Sequence, residues 1–341
     1  MRFDEVVLAI MKAVDGQRTI SSPYHLIKGK KSGQTIQDIG YFNLHPFFGV
    51  LPKLEKSDYL AAVARLQSTG MLEPEAEQVR LTARGFEVPL PTTPLNGWKY
   101  RGNERRFFAR LSLIVQTMSC FIQGQNRFDP VVSDEAIQNW VKTYLHRIHF
   151  RDSVVQHEFR MQLESMLERA DAASWQKDII IERLSGFNIG GLTWDQIANR
   201  GKIFPIDAQL AAVEVLHASL AVLEEHQPPL LISLLEGVIQ QSALTESAKR
   251  TQSLFERGFS LQQIAELRQL KTSTIEDHFV ELAMNDPAFL YTLFMDATVY
   301  EMIHKTSEEL KTMRLRDIKQ QLPEASYFQI RLALAMRGAG K

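Results

Sequence analysis

Residues 259–279 read FSLQQIAELRQLKTSTIEDHF. Ser260 stands where a helix cap is expected, and Leu261, Ile264, Ala265 and Leu267 follow at helical spacing. Gln269-Leu270-Lys271 makes a turn, and Thr272 or Ser273 opens a second helix whose Ile275, Phe279 and Leu282 face inward. Small Ala265 lets the two helices cross closely, while Leu270 and Ile275 fill the angle between them. That is the packing logic of a helix-turn-helix. In a DNA-reading pair the exposed start of the second helix enters the major groove. Here that surface offers Lys271, Thr272, Ser273, Glu276 and Asp277. Lysine and hydroxyls suit phosphate and base edges, but two adjacent acids repel phosphate. The turn also carries Gln269 where glycine is common and Arg268 where an apolar residue is usual. These residues favour packing or protein contact over sequence-specific reading, with Glu276 and Asp277 as partner contacts.

The longer stretch GFSLQQIAELRQLKTSTIEDHFVELA (258–283) resembles the helicase helix-turn-helix domain found at the ends of some bacterial RecQ-type helicases. LRDIKQQLPEASYFQIRLALAM (315–336) resembles the second half of the same domain. With YHLIKGKKSGQTIQD (24–38) near the start, the architecture resembles the YpbB family, bacterial proteins whose genes lie beside a RecQ-type helicase gene. The resemblance covers most of the chain. It implies a helicase partner in DNA repair and recombination.

Outward from the helix-turn-helix, most of the sequence reads as helix. Phe3, Val6, Val7, Ile10, Met11 and Val14 keep helical spacing until Asp15-Gly16. Ser21-Ser22-Pro23 opens a second helix, and Gln34 to Phe42 forms a third. Ser57 caps a fourth, with Tyr59, Leu60, Val63 and Leu66 facing inward and Gly70 at its end. Met71-Leu72-Glu73 and Gln78 to Thr82 then read as a hairpin turning through Pro74–Glu77 and closing with LTARG, which resembles a winged helix. The proline-rich VPLPTTPLNG (88–97) reads as a linker. The expected fold is mainly α and multi-domain. A winged-helix-like module covers 1–90, an acidic all-helical middle domain 95–244, and a helicase helix-turn-helix domain 245–341.

Charge is partitioned along the 341 residues although the net value is only −1. Residues 1–110 hold 16 Lys and Arg against 11 Asp and Glu, and residues 111–245 hold 10 against 16. Residues 246–310 hold 6 against 11, and residues 311–341 hold 7 against 2. Both ends are basic, and a basic patch attracts phosphate whatever the total charge. Three stretches are candidate DNA contacts. The loop KGKK (28–31) offers Lys28, Lys30 and Lys31 before a helix start. WKYRGNERRFFAR (98–110) interleaves Lys99, Arg101, Arg105 and Arg106 with aromatic residues, although those aromatics also read as a buried helical stripe. The tail carries Lys311, Arg314, Arg316, Lys319, Arg331, Arg337 and Lys341. With Lys271, Thr272 and Ser273 these make an electrostatic grip on DNA without sequence preference.

Other chemistries lack their signatures. There is one cysteine, Cys120, so no internal disulfide forms and a reducing cytoplasm, at the nucleoid, is the expected location. Asp4 and Glu5 sit inside an amphipathic start, unlike a signal peptide. The apolar runs 108–124 and 229–239 are interrupted by charge and too short to span a membrane. His146, His149, Asp152 and His157 lack a metal-binding motif, so no metal is expected, and no nucleotide fingerprint or nucleophile elbow appears. The expected function is that of a non-catalytic, DNA-binding accessory of a RecQ-type helicase, without cofactor. The alternative is a helix-turn-helix transcription regulator.

Overall fold

The computed structural model describes residues 2–73, 78–90, 92–239, 244–286 and 288–336. Among them lie eighteen α-helices and three short 3₁₀ turns. The first six helices are α1 (Phe3–Ala13), α2 (Ser22–Ile27), α3 (Gly33–Tyr41), α4 (Lys56–Ser68), α5 (Ala83–Glu87) and α6 (Gly97–Tyr100). The middle stretch forms α7 (Glu104–Ile122), α8 (Glu135–Arg147), α9 (Ser153–Arg169), α10 (Ser174–Glu182), α11 (Trp194–Gly201) and α12 (Pro205–His226). The last six are α13 (Glu246–Glu256), α14 (Leu261–Arg268), α15 (Thr272–Asn285), α16 (Ala297–Glu309), α17 (Leu315–Gln321) and α18 (Tyr327–Met336).

Three successive domains were expected from the sequence. The chain instead divides into two compact units, each assembled from separated stretches. Unit 1 takes Met1–Val6, Gly49–Ala62 and Pro89–Gln240, and unit 2 takes Val7–Phe48, Val63–Val88 and Gln241–Lys341. The basic N-terminal loop and the helix-turn-helix therefore belong to one body.

Unit 1 is built around α12. Apolar residues cover this helix on all sides, as expected of a helix enclosed by others, and α7, α9, α10 and α11 pack on it. Pro205 starts it, where a missing N–H costs nothing. By length and composition α12 could cross a membrane, yet 83% of its most apolar window is buried inside the fold, which marks it as a core helix. Three of its buried polar residues are tied to neighbouring segments. Asp207 accepts from the Phe3 backbone N–H at 2.7 Å. Glu214 accepts from Thr93 at 3.0 Å and from Gln176 at 2.7 Å, and the Nδ1 atom of His217 accepts from the Asn96 N–H at 2.9 Å. The proline-rich stretch read as a linker is thus tied down along α12.

In unit 2 the expected hairpin is, among the described residues, one antiparallel bridge between Leu72 and Leu81, with Glu73 N–H donating to Arg80 and Thr82 N–H to Met71. On its other edge the second segment meets the stretch between α1 and α2, where Gln78 bridges Thr19 and Val79 N–H donates to Arg18. The expected turn, Pro74–Glu77, lies outside the described residues. The LTARG segment closes as α5, because the Thr82 hydroxyl accepts from the Gly85 N–H and starts a helix. Helix α4 begins before Ser57, and Tyr59, Ala62, Val63 and Leu66 make its buried face. Leu60, expected inside, falls off that i, i+3, i+4, i+7 stripe and is exposed.

Candidate nucleic-acid interface

The helix-turn-helix is α14 and α15. Ser260 caps α14 in a reciprocal box with Gln263, which satisfies two orphan N–H groups at once. Ile264, Ala265, Ile275, Phe279 and Leu282 are buried together, with Leu270 packed against them. Of the two departures from the common turn, one carries a backbone cost and the other has a structural role. Gln269 takes the left-handed conformation, φ 52°, where glycine costs least. Arg268 reaches back to α13, where its guanidinium donates to the Ser247 carbonyl at 2.8 Å and to the Ser247 and Thr251 hydroxyls. It ties the first helix of the pair to its neighbour.

Helix α15 is central to unit 2, with α13, α14, α18 and α3 packed on it. One face carries Ile275, Phe279 and Leu282, and the other carries Val280, Ala283 and Met284, all buried. Only its first turn, with Lys271, Thr272 and Ser273, is exposed. A helix lying along a major groove needs a free flank beyond its first turn. Here that flank is occupied by α3.

Glycines make this approach possible. A Cβ on Gly33 would collide with the Asp277 carboxylate, and a Cβ on Gly40 would collide with Met284. Gln37 Nε2 donates to Asp277 at 3.4 Å, and the Tyr41 hydroxyl donates to the Arg331 carbonyl at 2.9 Å. Glu276 and Asp277, expected to meet a partner, meet their own chain. Arg331 donates to Glu276 at 2.7 Å and also pairs with Asp277. Burial raises the Asp277 pKa above the usual carboxylate range, and Arg331 opposes that rise. The two acids are thereby partly neutralised.

The basic candidates separate into engaged and exposed groups. Arg331 is held by the acid pair. Arg314 donates to the Gly16 carbonyl and to Gln78, while the neighbouring Met313 N–H donates to Gln17 at 2.6 Å. Lys319 closes the end of α17 by donating to the Pro323 carbonyl at 2.6 Å and the Ala325 carbonyl at 2.8 Å. Lys28 lies over the Tyr24 ring. In unit 1, Lys99 pairs with Glu224 at 2.7 Å, and Arg101 stacks on Trp98, 3.9 Å from the ring centre. Arg106 donates to the Gly237 carbonyl at 2.9 Å, and Arg105 is half-buried. Trp98 and Tyr100 on α6 and Phe107 on α7 are buried. Lys30, Lys31, Lys271 and Arg316 are exposed. Arg337 and Lys341 lie outside the described residues.

Two of the exposed groups converge. Asp277 rests on Gly33, and Ser273 sits one helical turn before Asp277, so the first turns of α3 and α15 are neighbours. The Lys30-Lys31 loop leads directly into that place. Residues of α13 join it, which the sequence reading missed. Glu246 is held below the usual carboxylate range first by Lys249, then to a smaller extent by Arg250 and Lys31. The adjacent Lys249-Arg250 was the signal available in the sequence, obscured because the segment around it is acidic overall. Among the described residues, no three His, Cys, Asp or Glu gather so that they could hold a metal ion.

Residues 247–334 match a family described as "Helix-turn-helix domain", which suggests DNA binding. The chain is 34% identical over 343 residues to Protein YpbB of Bacillus subtilis (strain 168), an alignment that covers 97% of this chain and 96% of that protein. No solved structure matches the chain.

Proposed function

This chain belongs to the YpbB family, and on that premise we propose that it is a non-catalytic, DNA-binding accessory of a RecQ-type helicase in repair and recombination. It grips the DNA backbone without choosing a sequence. The observation that carries this reading is the seating of Gly33, two residues beyond the exposed Lys30-Lys31 pair, against Asp277, one turn beyond the exposed start of α15. Exposed Arg250 adds its charge near Lys31, while Lys249 is paired with Glu246 at 2.7 Å. Lysines and a short exposed turn contact phosphate, which carries no sequence information. The occupied flank of α15 speaks against a transcription regulator that reads bases along a recognition helix. The helicase partnership rests on the family resemblance.

Deleting residues 245–341 is a poor test, because it would strip α15 from α3 and leave the N-terminal part of unit 2 unsupported. The better test keeps the full chain. The purified protein is mixed with a RecQ-type helicase and a forked DNA, and complexes are resolved by size-exclusion chromatography. A ternary complex, and a salt-sensitive binary complex with DNA alone, are expected. Absence of any helicase complex, with or without DNA, would overturn the partnership.

A further inference from the structure

A cavity of about 140 Å³ opens in unit 2 among α1, α2 and α3. This is roughly ten times the space one water needs, the scale of a flat heterocycle rather than of an ion. Val14, Leu26 and Leu44 contribute apolar wall, and Ser32, Gln34, Thr35 and Asp38 contribute polar wall. Exposed Lys30, already placed in the basic surface, also lines it.

Asp38 is the informative group, at 5% exposed. Arg18 Nε at 2.8 Å, Arg18 Nη2 at 2.7 Å and Gln34 Nε2 at 2.8 Å all reach its Oδ1. No described residue donates to Oδ2. Asp38 lines the cavity, so the oxygen that takes no donor is on its polar wall. Because Oδ1 is enclosed by three donors, Oδ2 is the atom left to face a ligand. Gln34 uses its amide nitrogen on Asp38, which leaves its carbonyl as a second acceptor. The cavity thus joins an apolar wall, unused acceptors and a neighbouring cation.

We propose that this cavity receives the base of an unpaired nucleotide, with an amino-bearing base donating to Asp38 while the phosphate of the same nucleotide lies on Lys30 and Lys31. This rests on the DNA-binding reading and narrows it to strands with unpaired bases. Bases inside a duplex have their hydrogen-bonding edges occupied and cannot enter. Cytosine and adenine each present an exocyclic amino group to a carboxylate acceptor, whereas thymine offers only a ring N–H set between two carbonyl oxygens that repel a carboxylate.

The test is fluorescence anisotropy on the full chain with labelled oligo-dC, oligo-dA, oligo-dT, an abasic strand and a duplex of equal length, with free dCMP as competitor. Oligo-dC and oligo-dA are expected to bind roughly tenfold tighter than oligo-dT or the abasic strand. Ser22→Phe, which fills the cavity from the start of α2, should erase that difference and leave duplex binding unchanged. Asp38→Asn should do the same. If it unfolds through loss of the Arg18 pair, as circular dichroism would reveal, the Ser22→Phe result decides. Equal affinity for all strands, with duplex binding intact, would overturn the base pocket and leave the backbone grip standing. No binding to any DNA would overturn both. Free dCMP binding as tightly as a strand would make this a site for free nucleotides and contradict the proposal.

Discussion

Replacing Arg331 with Met removes the guanidinium that links α18 to Glu276 and Asp277 while keeping most of the side-chain volume. The side chains involved are 15%, 25% and 32% exposed, which sets the magnitude. Fully exposed pairs contribute about 0.2–1 kcal/mol each, and breaking a fully buried pair costs about 3–5 kcal/mol. Two partly buried pairs sharing one cation fall between these limits, at about 2 kcal/mol together. Removal also leaves burial unopposed at Asp277, so its pKa should rise further. Urea denaturation at neutral pH measures the loss. Combining Arg331→Met with Glu276→Gln and Asp277→Asn should recover part of it, since no unpaired acid then remains beside α3. The same variant separates a structural arginine from a phosphate contact, because its DNA affinity should keep the salt dependence of the parent. A stability change below about 0.5 kcal/mol, or a flatter salt dependence, would refute the assignment of Arg331 to the acid pair.

Three further changes probe the same unit. His278 is buried, and burial first and the charge of Arg268 second lower its pKa to about 4. The unfolded chain takes up this proton near pH 6.5, so stability is full above that pH and falls by about 1.4 kcal/mol per unit towards pH 4. Raised pKa values at Asp38 and Asp277 act oppositely, so the check is the flatter acid limb of His278→Gln against its parent. Ala265→Leu should overpack the α14–α15 crossing and cost about 1–3 kcal/mol, read as a lower melting midpoint. Gln269→Gly should relieve the left-handed backbone and raise stability by about 0.5–1 kcal/mol in the same assay.

The helix-turn-helix was legible because its local signals agree. A capping serine, a small residue at the crossing and apolar residues at helical spacing all lie within two dozen positions. The docking of α3 on α15 was not legible, because it joins residues about 240 apart, Gln37 and Asp277, and depends on two glycines offering no side chain. A trace of it was present. Val280, Ala283 and Met284 make α15 apolar on a second face, which signals a helix enclosed on two sides. Charge patterning located the basic segments but could not separate exposed from engaged cations. Arg314 and Lys319 look like Lys30 in sequence, yet they hold backbone carbonyls. The expected hairpin is short, because Thr82 offered a helix cap in place of strand continuation, and its second segment also pairs with residues 18–19 on its other edge.

The central claim is that phosphate is gripped where the Lys30-Lys31 loop meets the first turn of α15. The direct measurement is DNA affinity across a salt series for the full chain and for the combined Lys30→Ala, Lys31→Ala, Lys271→Ala variant. The account predicts weaker binding and a log–log salt slope smaller by about 2–3, roughly one unit per lost phosphate contact. An unchanged slope in a folded triple variant would contradict it.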